Sequence, residues 1–254
     1  MVKPCILIFI TLLFIRPAAI GETYSPSNKN TFIIGVEDIN YFPMYGLKNG
    51  EYAGYARELL DAFASDKGYS FTYKSLPILR LYNDFLNNRT VDFKYPDNTF
   101  WKQDLKAGKD VTYSDSVVDY IDGVMVLPSH KGQGIKRFKR LGSVIGFTPW
   151  EYLDDIKAGN IKHDTAPHYQ CIIKMALAGR VDGAYTCVSV MNFQLEQLNK
   201  KGALVFDPFL PHTKSSYLLS SVKYPQVIQQ FSNWLVLRQA FVEGLREKYK
   251  VGVE

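Results

Sequence analysis

The chain is short of histidine and cysteine and has no long apolar run, and each shortage removes a class of function. The four histidines in 254 residues are His130, His163, His168 and His212. They fall at no metal-ligand spacing, so neither a metal centre nor a histidine-based catalytic set is expected. Three cysteines are too few for a disulfide scaffold, and Cys5 lies in an apolar opening segment. No stretch approaches the ~20 apolar residues that span a bilayer. A Gly/Ser-rich linker is missing, which disfavours two independent beads. The densest basic run, "HKGQGIKRFKR" over residues 130–140, reads as a solvated loop, so no nucleic-acid surface is expected.

What is present describes an exported globular protein. Hydrophobic residues make up 46% and charged residues 22%, enough for a full core and ordinary for a folded chain. The opening "MVKPCILIFITLLFIRPAAIG" carries Lys3, an apolar run over residues 5–15 and small residues up to Gly21. That layout predicts a secretory signal over residues 1–21, cleaved near Gly21, and a soluble periplasmic product. The net charge of +5 includes Lys3 and Arg16, so removing those two leaves a mild +3. Export makes Cys171, in the predicted helix "HYQCIIKMALAGR", and Cys187, ending the predicted strand "VDGAYTC", a candidate disulfide. Two buried free thiols are the alternative.

The remaining pattern alternates strands with helices. "TFIIGVED", "SFTYKSL" and "VDFKY" read as strands, and "NGEYAGYARELLDAFASDKGY" holds a helix with Tyr55, Leu59, Ala62 and Phe63 on one face. Gly68 stands where that helix wants a left-handed residue. "ILRLYNDFLNNR" predicts a second helix burying Leu79, Tyr82, Phe85 and Leu86. Beyond "GSVIGF", "TPWEYLDDIKAG" predicts a helix with Thr148 as N-cap and Pro149 at its first position. "GRVDGAYTC", "SVMNFQLEQLNKKG" and "ALVFDPFLP" follow. The segment from residue 223 reads as one or two helices, with Tyr224, Val227, Phe231 and Leu235 in a stripe. Strands separated by helices imply right-handed parallel βαβ units, whose ligands sit beyond the strand carboxyl ends. "YPDNTFW" and "EDINYFP" occupy such ends.

From residue 30 to about 235 the order of segments resembles the family 3 extracellular solute-binding proteins, the amino-acid-binding components of bacterial ABC transporters. The segments that carry it are "GVEDINYFPMYGLKNGEYAGYARELLDAFA", "FLNNRTVDF", "VTYSDSVVDYIDGVMV", "IGFTPW" and "ALAGRVDGAY". The resemblance implies a type II periplasmic-binding fold: two α/β lobes, each a mostly parallel sheet flanked by helices, joined by two crossing segments. It places residues 22–120 and 210–254 in lobe 1 and residues 121–209 in lobe 2. It also implies a monomer that closes on a small-molecule solute and meets an inner-membrane ABC permease or membrane sensor, without a cofactor.

Carried over by position, Asp38 and Tyr41 supply a polar group and an aromatic lid, and Asn98, Thr99 and Trp101 form the strand-end binding loop. Phe147 and Thr148 form the second lobe's loop at a helix N-terminus. Tyr41, Trp101, Phe147, Trp150 and Tyr185 are the candidate cleft aromatics. Two departures bear on the ligand. The family's carboxylate-gripping Arg aligns with Asp104, with Lys102 and Lys106 nearby, and its ammonium-binding Asp aligns with Cys187. Each lost charge-assisted bond costs about 1.5–3 kcal/mol, so a standard α-amino acid is not the expected ligand. Arg80 either supplies a replacement cation or pairs with Asp84 four residues on. The alternatives are a dehydratase-like enzyme on the same fold, with Glu37, Asp38 or Asp97 as the cleft acid, or a sensor or structural protein with a vestigial cleft.

Overall fold

The computed structural model describes residues 30–252, so the signal predicted over residues 1–21 lies outside the described residues. The chain opens with β1 (Thr31–Glu37), the hairpin of β2 (Gly46–Lys48) and β3 (Glu51–Ala53), α1 (Tyr55–Lys67) and β4 (Ser70–Leu76). α2 (Ile78–Leu86), β5 (Phe93–Asp97), a short α3 (Gln103–Lys106) and β6 (Thr112–Tyr113) follow, and β7 (Val118–Val126) leaves this half. The second half holds β8 (Arg140–Val144), α4 (Leu153–Lys157), β9 (Lys162–Ala166), α5 (Tyr169–Leu177), β10 (Gly183–Cys187), α6 (Val188–Gln197) and β11 (Val205–Phe206). β12 (Thr213–Ser221) returns, and α7 (Pro225–Leu237) and α8 (Gln239–Tyr249) complete the first half.

The mixed α/β class read from the sequence is the observed one. Along the main sheet the order is β4-β1-β5-β12-β7-β10-β8-β9. β1 pairs in parallel with β4 and β5, and β8 pairs in parallel with β9 and β10. Between these parallel sets run two long antiparallel strands. β7 pairs with β12 through residues 118–122 and with β10 through residues 122–126; β12 pairs with β7 up to Tyr217 and with β5 from Leu218. Each long strand therefore belongs to both halves, which is the two-lobed arrangement with two crossing segments.

Local chemistry accounts for most elements. Gly68 caps α1 at φ 68°, a conformation that costs a Cβ-bearing residue more. Tyr55, Leu59 and Phe63 of α1 are buried, with Ala62 at the edge of the core. Both halves also need strand glycines. A Cβ on Gly35 of β1 would collide with Leu81 of α2, and one on Gly142 of β8 would collide with Ile172 of α5. Gly35→Ala and Gly142→Ala are each expected to destabilise by about 1–3 kcal/mol through overpacking. Urea unfolding checks this; a change within about 0.5 kcal/mol would mean the helices shift freely.

Four sequence expectations need correction. Leu79 is exposed and Leu81 is buried in its stead, because α2 turns Leu81 against Gly35. Thr148 caps no helix: Pro149 precedes a 3-10 turn at Trp150–Tyr152, and α4 has only five residues. Tyr152 is fully buried and its hydroxyl donates to the Pro211 carbonyl at 2.8 Å; that packing fixes the turn against local propensity. Trp150 is exposed, so it lines no closed site. Cys171 and Cys187 are free thiols. α5 covers the β10 face that carries Ala184 and Thr186, and the two-residue period turns Cys187 to the other face.

Candidate functional site

The crossing strands present one face whose side chains are set by register. Residues directly opposite in an antiparallel pair share a face, as do residues two apart. Asp122 of β7 lies opposite Thr213 of β12 and opposite Cys187 of β10, so Tyr120, Asp122, Tyr185, Cys187 and Tyr217 all point to the same side. Tyr120 stacks on Tyr217 with ring centroids 4.2 Å apart, and Trp101 meets Tyr217 edge-on at 5.8 Å. These rings form a floor. Tyr41, from the loop after β1, has its hydroxyl 3.5 Å from that of Tyr217. Tyr41 also stacks on Phe147, from the loop after β8, at 5.7 Å and 16°. Loops from the carboxyl ends of parallel strands in both halves thus touch above the crossing strands. A Lys250–Glu196 ion pair at 2.9 Å and the Phe42–Phe193 ring pair join the halves elsewhere.

Behind Trp101 lies a buried charge cluster. Lys94 and Asp97 are fully buried, and Glu37 and Lys106 nearly so. The Lys94 ammonium lies 3.6 Å from Asp97 and 3.7 Å from Glu37, and that of Lys106 lies 2.8 Å from Asp97. Asp97 also accepts from the Ser220 hydroxyl at 2.6 Å and the Asn98 amide at 2.8 Å. Burial pushes the Asp97 carboxyl up, but Lys94 and Lys106 together hold it below the ordinary carboxylate range. Glu37 goes the other way: burial outweighs Lys94 and the hydroxyl of Tyr45, which donates to it at 2.9 Å. Two cations and two carboxylates balance here.

On the floor itself the charges do not balance. Among the described residues, Asp122 Oδ1 and Glu151 Oε1 are buried with no hydrogen-bond partner. Burial, and then the neighbouring Glu151, push the Asp122 carboxyl up to about 7. The Tyr185 hydroxyl donates to Glu151 Oε2 at 2.9 Å. Sequence reasoning missed both acids. An acid inside the otherwise apolar "YIDGVMV" was the available signal for Asp122; Glu151 lies at the start of "TPWEYLDDIKAG", where a 3-10 turn replaces the expected helix start, and carries no such signal.

The residues singled out from the sequence have different fates. Tyr41, Trp101 and Phe147 gather around Tyr217. Tyr185 packs its ring against Tyr152 in the second half's core while its hydroxyl reaches Glu151. Asn98 is buried and its amide is committed, donating to Ser215 Oγ and the Ser216 carbonyl at 2.9 Å each. It ties its loop to β12. Asp38 is exposed, with a 3.4 Å contact to Ser75, and Thr99 and Thr148 are exposed. Arg80 is exposed on α2, and Asp84 binds Lys74 at 2.9 Å and not Arg80. Asp104 is exposed on α3. Among the described residues, no group of three His, Cys, Asp or Glu side chains could hold a metal, and no helix is long and apolar enough to cross a membrane.

No family model matches the sequence, and no curated protein is similar enough to match it. Solved structures are similar in fold. An ancestral amino-acid-binding protein, described as a precursor of cyclohexadienyl dehydratase, superposes at TM-score 0.63 and 21% identity, covering 87% of this chain and 95% of that one. A histidine kinase sensor domain with similarity to periplasmic binding proteins gives TM-score 0.64 at 16% identity, with 86% and 95% covered. The substrate-binding protein of a polar amino acid ABC uptake transporter from Streptococcus thermophilus gives 0.63 at 17%, with 87% and 86% covered. The chain has the two-lobed α/β fold that periplasmic amino-acid-binding proteins and ABC substrate-binding domains share.

Proposed function

We propose that this chain is an exported solute-binding protein that closes its lobes, residues 22–120 with 210–254 and residues 121–209, on a small polar solute. The single observation that carries this is the contact between halves: Tyr41 stacked on Phe147 above a floor of Tyr217, Tyr120 and Trp101. A ligand touching both loops favours the closed population by its differential affinity. Presentation to an inner-membrane ABC permease or membrane sensor, as a monomer in the periplasm, completes the reading. The solute is not a standard α-amino acid. Asp104 stands exposed where a carboxylate-binding Arg is expected, and Lys94 and Lys106 are committed to Asp97.

The test is a thermal-shift screen of amino acids, peptides, organic acids, sugars and amines against the purified mature protein. A binder raises the midpoint by mass action, about 2.7 kcal/mol at a hundredfold excess over Kd. Tyr41→Ala and Phe147→Ala are expected to weaken that binder at least about tenfold, since each removes an aromatic face from the contact. If no compound class shifts the midpoint, the binding reading is lost. One observation favours a lyase as a second reading: a carboxyl near 7 suits a general acid. Product formation from prephenate or arogenate decides it.

A further inference from the structure

We propose that the crossing-strand face takes an organic cation without a carboxylate, a primary amine or guanidinium on a planar or apolar body. Its charge lodges against Asp122 and Glu151 and its body against the tyrosine floor. This deepens the solute-binding reading and rests on it.

The charge balance points there. Behind Trp101, Lys94 and Lys106 face Glu37 and Asp97, so that cluster is neutral and its ammonium groups are occupied. On the floor, Asp122 and Glu151 lie close enough to raise the Asp122 carboxyl, and among the described residues no lysine or arginine is paired with either. Each keeps one buried oxygen with no donor, and the Tyr185 hydroxyl satisfies only Glu151 Oε2. Buried carboxylate oxygens without donors are costly, and an ammonium or guanidinium brings three to five donors with the opposite charge. The surroundings suit a cation on other grounds. Tyr120 and Tyr217 lie stacked beside Asp122, and ring faces attract cations. An anionic ligand would meet two carboxylates. A zwitterion would leave its carboxylate without a free cation.

Proton linkage gives a second signature. The ionisable groups facing Asp122 are Glu151, four tyrosines beside Tyr185, and Cys187. Burial keeps the phenols of Tyr41, Tyr120, Tyr169, Tyr185 and Tyr217 above their ordinary range and pushes the Cys187 thiol up to about 12. Of the groups named here with shifted values, only Asp122 titrates near neutrality. A cation displaces the proton that Asp122 holds, so binding releases a proton and tightens as pH rises through about 7.

The experiment is isothermal titration of the mature protein with tyramine, agmatine and putrescine. Tyrosine and arginine serve as carboxylate-bearing controls and tyrosol as the uncharged counterpart, at pH 6 and pH 8. At least one amine is expected to bind about tenfold or more tightly than its carboxylate-bearing or uncharged counterpart. Its affinity should be roughly tenfold weaker at pH 6 than at pH 8. Asp122→Asn should weaken it at least about tenfold, with an unliganded melting midpoint at pH 8 no lower than wild type, which shows the variant folds. Glu151→Gln serves as a second variant with the same expectation. If a neutral or anionic compound binds and both variants keep its affinity, the cation inference is overturned while the solute-binding reading stands. If neither these amines nor the wider screen shift the midpoint, both fall.

Discussion

Lys94→Met is expected to destabilise the protein by about 3–5 kcal/mol, the cost of leaving a buried charge without its partner. Lys94 is fully buried at β5, its ammonium between Asp97 and Glu37 and beneath the ring of Tyr82 at 4.5 Å. The two carboxylates differ in what they keep. Asp97 retains Lys106, Ser220, Tyr82 and the Asn98 amide, whereas Glu37 retains the Tyr45 hydroxyl. The damage therefore falls on Glu37, and Lys94→Met/Glu37→Gln should recover about 1–3 kcal/mol of it. The pH dependence has a definite sign. Glu37 already titrates above its ordinary range and rises further without Lys94. A raised carboxyl has its stability intact below the unfolded value and loses it as pH climbs through the folded one. The single variant should then be weakest at neutral pH and recover towards pH 4–5. Chemical denaturation at pH 5 and pH 7.5 measures this, and a loss under about 1 kcal/mol at pH 7.5 would show that the cluster does not act as a unit.

How much of this was legible follows from the range of the interactions. Local signals read correctly: the alternation of strands and helices, the left-handed Gly68 that ends α1, and the buried stripe of Val227, Phe231 and Leu235 on α7. β12 is hard to read from its sequence, because "TKSSYLLSS" is mostly polar. Its hydroxyls are satisfied far along the chain, Ser220 by Asp97 and Ser221 by the Asp92 carbonyl, and no local pattern encodes that. The same holds for the site. Strand ends marked the loops of Tyr41 and Trp101 and the family resemblance marked Phe147; the structure brings the three together because loops after parallel strands converge. Asp122 could not be placed without the register that sets it opposite Cys187, the position where the sequence reading sought an acid and found a thiol. The helix start expected at Thr148 gives way for a tertiary reason, the packing of Tyr152, and β12 holds the side-chain amide of Asn98.

Asp122→Asn is expected to stabilise the unliganded protein at pH 8, by about 2–4 kcal/mol or roughly 5–10 °C in midpoint. The carboxyl ionises near 4 when unfolded and near 7 when folded, so the native state binds its proton more strongly. Wild type therefore loses stability as pH rises from about 4 to about 7 and carries the whole penalty above that. Asparagine has no charge to bury. The advantage should shrink to almost nothing near pH 4 and be complete by pH 8. Thermal melts across that range measure it, and an advantage independent of pH would mean that Asp122 is not the titrating group. A residue whose removal makes the empty protein sturdier while weakening an amine at least about tenfold is retained for the ligand, because packing alone would select against it.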